Sequence, residues 1–247
     1  MILMDSNVSS FTKSRRNSIT QMRIKQILSY VMECHNIFLD DGITYSKSAV
    51  SASGTVMFED HLKFEFVEKY LVKNKSLLQS KVSELEEINF ACETQKRYID
   101  VLDGKIKPDK IDVIINKIGL QKVWDNEPDE NVYFALECKR ILKKSDSKDY
   151  VLDIEKFVNR AHINLRLPFE GQIAFIENSK LNHKIVSDEV NFILRVTPSI
   201  ITDSFLLEEK LHTTIEGTYL SRHIRNHNKQ FFSIYHLLFD YSKVVLN

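Results

Sequence analysis

The chain has 247 residues, of which 43% are apolar and 28% charged, which excludes a disordered polypeptide and allows one sizeable core. Its 34 basic and 34 acidic residues balance, which excludes a strongly basic protein, so nucleic acid could be bound only through a local arrangement of charge. The three cysteines form no CxxC pair, the N-terminus soon turns polar, and no apolar run reaches about 20 residues. These features predict a soluble, cytoplasmic protein with reduced thiols and no membrane contact.

The first third of the chain has the apolar spacing of helices. Residues 1–16 are expected to be a frayed lead-in, and a helix is predicted from Ser18 to Asp41-Gly42. The serine-rich residues 43–55 are predicted to form a loop. A second helix is predicted from Phe58 to about Lys73, with an apolar inner stripe and with Glu59, Asp60, Lys63 and Lys69 on its outer face.

The period then changes to that of strands, which are predicted over residues 88–93, 110–115, 131–139 and 171–176. The uninterrupted apolar run from Val132 to Leu136 is typical of a central strand covered on both faces. Helices are predicted over residues 149–160 and 180–196. This order indicates an α/β protein with one domain, in which a core of residues 56–180 lies between a helical extension (1–55) and an α/β extension (181–247).

An acidic-x-Lys triplet occurs four times, but only Glu137-Cys138-Lys139 lies at the end of an apolar strand. Residues i and i+2 of a strand point to the same side, so Glu137 and Lys139 are expected to converge. Asp112, inside an earlier strand, is expected to face the same spot. With the backbone carbonyl of Cys138, the two carboxylates form an oxygen-rich set that suits Mg²⁺ or Mn²⁺, and Lys139 is predicted to orient or deprotonate a water or to stabilise charge.

Two segments carry a family resemblance: Pro108-Asp109-Lys110-Ile111-Asp112-Val113-Ile114, and Tyr133 to Ile141 around Glu137-Cys138-Lys139. Together with the segments around residues 150–159 and 171–176, they resemble the PD-(D/E)xK (restriction-endonuclease-like) nuclease superfamily. The likeness is strongest to bacterial restriction and phage-defence proteins, and it covers residues 56–180. It implies a four-stranded mixed sheet flanked by helices and a Mg²⁺-dependent endonuclease that hydrolyses DNA phosphodiesters.

The resemblance also implies a helix glutamate that helps to bind metal, for which Glu59 is the best match and Glu65 and Glu68 are rivals. Asp109 and Asp112 could each be the strand ligand; Asp112 is preferred because Asp109 is expected to belong to the preceding turn. The implied partners are DNA, a separate ATPase or sensor protein of the same antiviral defence system, and a second copy of the chain in a homodimer.

Other polar residues leave alternatives open. Gln172 and Arg140 are candidates for contacting the substrate, although either could be an ordinary surface residue. His223 and His227 have a spacing that binds zinc on a helix, but no third ligand is evident, and a local basic patch is the competing interpretation. His236 is predicted to be a hydrogen-bonded core histidine. Two further alternatives are a catalytically silent nuclease-fold module that binds nucleic acid or scaffolds a partner complex, and an RNase that uses the same centre.

Overall fold

The computed structural model describes residues 10–54, 57–128, 130–162 and 167–246. None of the helices in these ranges is both long enough and apolar enough to cross a bilayer. All three cysteines are free thiols, as the sequence predicts.

The N-terminal part begins with a helix longer than the sequence indicates. α1 spans Ser10–Asp40, so the expectation of a frayed lead-in is wrong from residue 10 onward, while residues 1–9 lie outside the described ranges. The predicted loop at 43–55 instead contains a short strand, β1 (Tyr45–Ser46), and a helix, α2 (Lys47–Ser53). The hydroxyl of Ser46 caps α2 by accepting from the N–H of Ala49, which is why a serine-rich segment can start a helix here.

The predicted second helix is present, but it changes its winding. α3 (Phe58–Phe66) continues into a π-helical segment, Val67–Val72, and α4 (Lys75–Gln79) follows. The predicted inner stripe is buried, with Leu62 and Leu71 at 1% and 0% exposure. Lys63, predicted for the outer face, is also buried; its ammonium group is surrounded by carboxylates described below.

Eight strands form the main sheet, with α5 (Ser147–Asn159) and α6 (His183–Arg195) between them in the chain. The strands are β2 (Asn89–Asp100), β3 (Ile106–Asn116), β4 (Phe134–Ile141), β5 (Arg160–His162), β6 (Phe169–Ile176), β7 (Thr202–Glu208), β8 (Thr218–Ile224) and β9 (Phe231–Asp240). Single 3₁₀ turns lie at Ser83–Leu85, Gln121–Trp124 and Lys144–Asp146.

The order of the strands is β5-β2-β3-β4-β6-β9-β8-β7. The pairs β4–β6 and β6–β9 are parallel and the others antiparallel, so the sheet is mixed. An α/β protein with a mixed sheet flanked by helices is therefore confirmed. The expected number of four strands is wrong, because β7, β8 and β9 of the C-terminal part continue the same sheet beyond β6 and β5 extends its other edge.

Helices cover both faces of this sheet. On one face α1 and α3 pack against Leu136, Phe175 and Phe239. On the other face α5 and α6 pack against a second cluster that includes Ile141 and Ile176. A second, two-stranded sheet joins β1 to β10 (Val245–Leu246) in parallel. The central strand β6 is buried at all eight positions, as expected for a strand between two helical layers.

Candidate active site

The charged residues of interest lie where two central strands separate. β3 and β4 pair only at Val113–Leu136, Ile114–Ala135 and Ile115–Phe134. Beyond Leu136, the N–H groups of β4 that face away from β6 have no strand beside them. Two carboxylates accept their hydrogen bonds, since buried N–H groups need a partner.

Asp112 Oδ2 accepts from the N–H of Cys138 at 2.9 Å, and Glu59 Oε2 accepts from the N–H of Arg140 at 3.1 Å. In a strand, the N–H and C=O of one residue point to the same side. The carbonyl of Cys138 therefore faces the same opening as Asp112. The thiol of Cys138 lies on the face of the sheet that α1 covers, among buried apolar side chains.

Glu137 is buried on the α5 side of the sheet. Arg160 donates one hydrogen bond from Nη2 to Glu137 Oε1 at 3.1 Å and another from Nη1 to Asp109 Oδ1. Burial raises the pKa of Glu137 to about 8; the charge of Arg160 opposes this shift, while those of Asp112, Asp153 and Asp109 add to it. Glu137 therefore carries a substantial fraction of bound proton near neutral pH when no further cation is close.

Asp112 is held by a buried lysine from α3. Lys63 Nζ lies 2.9 Å from Asp112 Oδ1, 2.8 Å from Asp60 Oδ1 and 3.1 Å from Glu93 Oε1. Burial by itself would lower the pKa of Lys63, but these carboxylates outweigh it and hold the pKa well above its ordinary value. Glu93 lies on β2 between Cys92 and Thr94, which pair with Val113 and Ile111, and it has a φ of 54°, an unusual backbone conformation for a residue with a side chain.

Lys139 lies between a carboxylate of α3 and one of α5. Its Nζ is 3.8 Å from Glu59 Oε1 and 3.3 Å from Asp153 Oδ2. Burial would lower the pKa of Lys139, but the charges of Asp153 and Glu59 reverse that effect and raise it. Lys139 is therefore an ammonium ion at neutral pH, suited to orienting a water or stabilising negative charge rather than to accepting a proton.

These ion pairs form what we call the charged cluster. Among the described residues it contains seven carboxylates and five cationic side chains. The carboxylates are Glu59, Asp60, Glu93, Asp109, Asp112, Glu137 and Asp153; the cations are Lys63, Lys110, Lys139, Lys156 and Arg160.

The donor set fits Mg²⁺ or Mn²⁺ in its chemistry, because carboxylate and carbonyl oxygens are the ligands these hard cations use. It has two side-chain donors, Asp112 and Glu137, and one backbone donor, Cys138. Within the described ranges, no three or more His, Cys, Asp or Glu side chains are arranged so that they could hold a metal ion by themselves. A metal bound here would consequently need the Cys138 carbonyl and several water molecules.

The two predicted substrate-contacting residues have internal partners. Gln172 is fully buried beside Glu137 in the β4–β6 register, so it is not a surface residue. Its Nε2 donates to the carbonyl of Tyr150 at 2.8 Å, while its Oε1 has no hydrogen-bond partner among the described residues. Arg140 donates from Nε and Nη2 to the two oxygens of buried Glu177, so its guanidinium is held inside the fold.

Among the three candidate helix glutamates, Glu59 contacts the charged cluster. Glu65 instead accepts from the hydroxyl of Tyr45 and pairs with Lys69, and Glu68 is exposed. Asp109 belongs to β3 rather than to a turn, which corrects the reason for preferring Asp112. Asp112 nevertheless has the closer relation to β4, through the N–H of Cys138.

The C-terminal histidines have structural partners. His223 lies on β8 and His227 in the turn after it, so the two are not on one helix. His236 is confirmed as a hydrogen-bonded core histidine: its Nδ1 lies 2.9 Å from the hydroxyl of Tyr150 and its Nε2 lies 2.8 Å from that of Ser221. Ser221 also contacts His223 Nε2 at 2.8 Å, which continues the buried chain.

Lys63, Asp153 and Arg160 belong to the charged cluster but were not singled out from the sequence. Lys63 and Asp153 lie on helices that alternate charged and apolar residues, where a charge at the edge of the apolar stripe resembles a solvated one. Arg160 is the last residue of the predicted helix of residues 149–160, whereas in the structure it begins β5. Comparisons of the chain with models of protein families, with curated proteins and with solved structures found no match.

Proposed function

We propose that this protein is a metal-dependent nuclease that hydrolyses phosphodiester bonds of DNA, with Asp112, Glu137, Lys139 and Glu59 as its catalytic residues. The observation that carries the proposal is the separation of β3 and β4 beyond Leu136, where Asp112 and Glu59 accept from freed N–H groups of β4 and Lys139 lies 3.8 Å from Glu59. Charged groups are costly to bury unless they are paired or bind metal. Asp112 and Glu137 supply carboxylate oxygens, the ligands that Mg²⁺ and Mn²⁺ use, which supports the second explanation.

In this mechanism Asp112, Glu137 and the carbonyl of Cys138 would hold Mg²⁺, and Mn²⁺ would be able to substitute for it. The bound ion supplies Lewis acidity and lowers the pKa of a coordinated water. The ammonium group of Lys139 donates a hydrogen bond to the attacking water or to the phosphate oxygen that gains charge. Glu59 fixes Lys139 from one side and Asp153 from the other.

Gln172 and Arg140 keep their proposed role in contacting the substrate. For Gln172 the unpartnered Oε1 beside Glu137 supports the role, and a phosphate-bound water is a suitable donor to it. Arg140 would have to exchange Glu177 for a phosphate. The sequence resemblance supports an effector nuclease of a bacterial anti-phage system, acting as a homodimer with a separate ATPase or sensor protein.

The test is a substrate panel of plasmid, linear duplex, single-stranded DNA and RNA, each incubated with Mg²⁺ or with EDTA. We expect Mg²⁺-dependent cleavage of DNA that falls by at least about 100-fold in Lys139→Ala and Glu137→Ala proteins with wild-type circular dichroism. Lys148→Ala is the matched control, because Asp146-Ser147-Lys148 repeats the acidic-x-Lys pattern at an exposed position. If both site variants cut at the wild-type rate, the proposal is wrong.

A second candidate is a catalytically silent nuclease-fold module that binds nucleic acid or scaffolds a partner complex. It is favoured by one observation: both oxygens of Asp112 already have partners, Lys63 Nζ and the N–H of Cys138. Calorimetric titration with Mn²⁺ separates the two candidates. Binding that is lost in Asp112→Asn supports the enzyme, and no binding at millimolar Mn²⁺ supports the silent module.

A further inference from the structure

Arg160 joins two carboxylates on different strands, and neither its position nor its partners follow from the sequence motif. It is the first residue of β5, and its side chain is 3% exposed. Its two terminal nitrogens engage Asp109 of β3 and Glu137 of β4, and its guanidinium lies 4.9 Å from the centre of the Phe157 ring. We infer that Arg160, anchored by Asp109, is a positioning residue that orients the Glu137 carboxylate for binding a divalent cation.

The planar fork of a guanidinium fixes direction as well as charge. A glutamate side chain has three rotatable bonds, and the hydrogen bond from Nη2 restricts them by engaging Oε1 alone. Arg160 is itself fixed at three points: β5 pairs with β2 at Asp100, the Phe157 ring lies under the guanidinium, and Asp109 binds the other nitrogen. Glu137 is thus held by a rigid support rather than by a mobile surface charge.

The same geometry gives the two aspartates of β3 different roles. Asp112 faces the Cys138 N–H, at the opening where the cation would bind. Asp109 lies three residues earlier, about 10 Å away along the strand, and is bound to Arg160. Asp109 therefore acts on the cation site through Arg160 and Glu137, as supporting residues around metal ligands commonly do. This inference rests on the proposed metal site.

The experiment is a calorimetric titration of the full chain with Mn²⁺, accompanied by thermal unfolding of each variant. The variants are Arg160→Lys, Asp109→Asn and their combination. Lysine keeps the charge but cannot bridge two carboxylates as a fork, so Arg160→Lys should raise the Mn²⁺ dissociation constant by about 10- to 100-fold. Asp109→Asn should raise it several-fold, and the double variant should bind no more weakly than Arg160→Lys alone.

Arg225→Lys is the matched control. Arg225 is another buried guanidinium, which donates to Glu170 and to the carbonyl of Phe157 at the end of α5. It should lower the unfolding temperature and leave the Mn²⁺ affinity within about twofold of wild type, since Glu170 and the Phe157 carbonyl are not among the proposed metal ligands. Cleavage by Arg160→Lys should recover at high Mn²⁺ concentration, which a general folding defect would not allow.

Three results would overturn the inference. The first is an unchanged Mn²⁺ affinity in Arg160→Lys, and the second is an equal loss of Mn²⁺ affinity in Arg225→Lys. The third is a loss of Mn²⁺ affinity from Asp109→Asn that is as large in the Arg160→Lys background as in wild type. The last would make Asp109 a direct ligand. If Arg160→Lys does not fold, Asp109→Asn decides, and unchanged affinity in that variant overturns the inference. A folded wild-type protein that binds no Mn²⁺ rejects the proposed metal site itself, which is a different outcome.

Discussion

Replacing Glu137 by glutamine removes a buried ionisable group and keeps its size and an oxygen for Arg160. The folded protein binds a proton at Glu137 up to a pKa of about 8, whereas the unfolded chain loses it near the ordinary value of 4.5. Stability from this group is therefore complete below pH 4.5 and is lost as the pH rises through about 8. Each pH unit in this window changes the free energy of unfolding by about 1.4 kcal/mol, with an upper limit of about 5 kcal/mol.

The assay is urea unfolding in EDTA between pH 5 and 8, followed by the fluorescence of Trp124, which is the single tryptophan and is buried. The stability of Glu137→Gln relative to wild type should rise by about 1.4 kcal/mol per pH unit over this range. Titrating groups far from Glu137 are common to both proteins and cancel in the difference, which leaves Glu137 and the charged neighbours it interacts with, Arg160, Asp112, Asp153 and Asp109. A difference that is constant from pH 5 to pH 8 would refute the argument that burial holds a proton on Glu137.

Two further predictions concern the frame around the site. Gly171→Ala should destabilise the protein by about 1–3 kcal/mol, because a Cβ would collide with Leu136 Cδ2 and lie 2.8 Å from Phe134 Cζ. Thermal unfolding measures this loss. If adding Leu136→Val restores none of the lost stability, the close approach of β6 to β4 is contradicted. Tyr150→Phe should lower the free energy of unfolding by about 1–3 kcal/mol, because the ring nitrogen of His236 loses its partner. A shift of about 2–4 °C in the unfolding temperature is expected per kcal/mol. An unfolding temperature within about 1 °C of wild type would show that this hydrogen bond contributes little.

The parts of the fold that the sequence predicted well are those with an unmixed pattern. β6 and α5 were predicted within two residues of their observed bounds, because β6 ends in the apolar run from Ile173 to Ile176 and α5 has a clean apolar stripe. β2 was predicted to end at residue 93 but continues to Asp100, since its outer half is a partly exposed hairpin with mixed polarity. The strands of the C-terminal part were not assigned, because their apolar alternation is interrupted by histidines and arginines that are buried together with hydrogen-bond partners.

Of the charged cluster, Asp112, Glu137, Glu59 and Lys139 are site candidates from the sequence, whereas Lys63, Asp153 and Arg160 are not. Asp112, Glu137 and Glu59 could be found because each stands beside apolar residues or in a recognisable motif. Lys63 was expected on a solvated face, yet three carboxylates from α3, β2 and β3 surround it. Such an environment is created only when distant segments come together, so local spacing along the chain carries no record of it.

The strand order also bears on how the chain folds as it is synthesised. β9 lies between β6 and β8 in the sheet but follows both of them in the chain. Until β9 has left the ribosome, β6 has an unpaired edge although all eight of its residues are buried in the finished protein. The nascent chain therefore passes through a stage with a long apolar strand edge exposed, and we expect its yield in cells to depend on a chaperone that shields this edge.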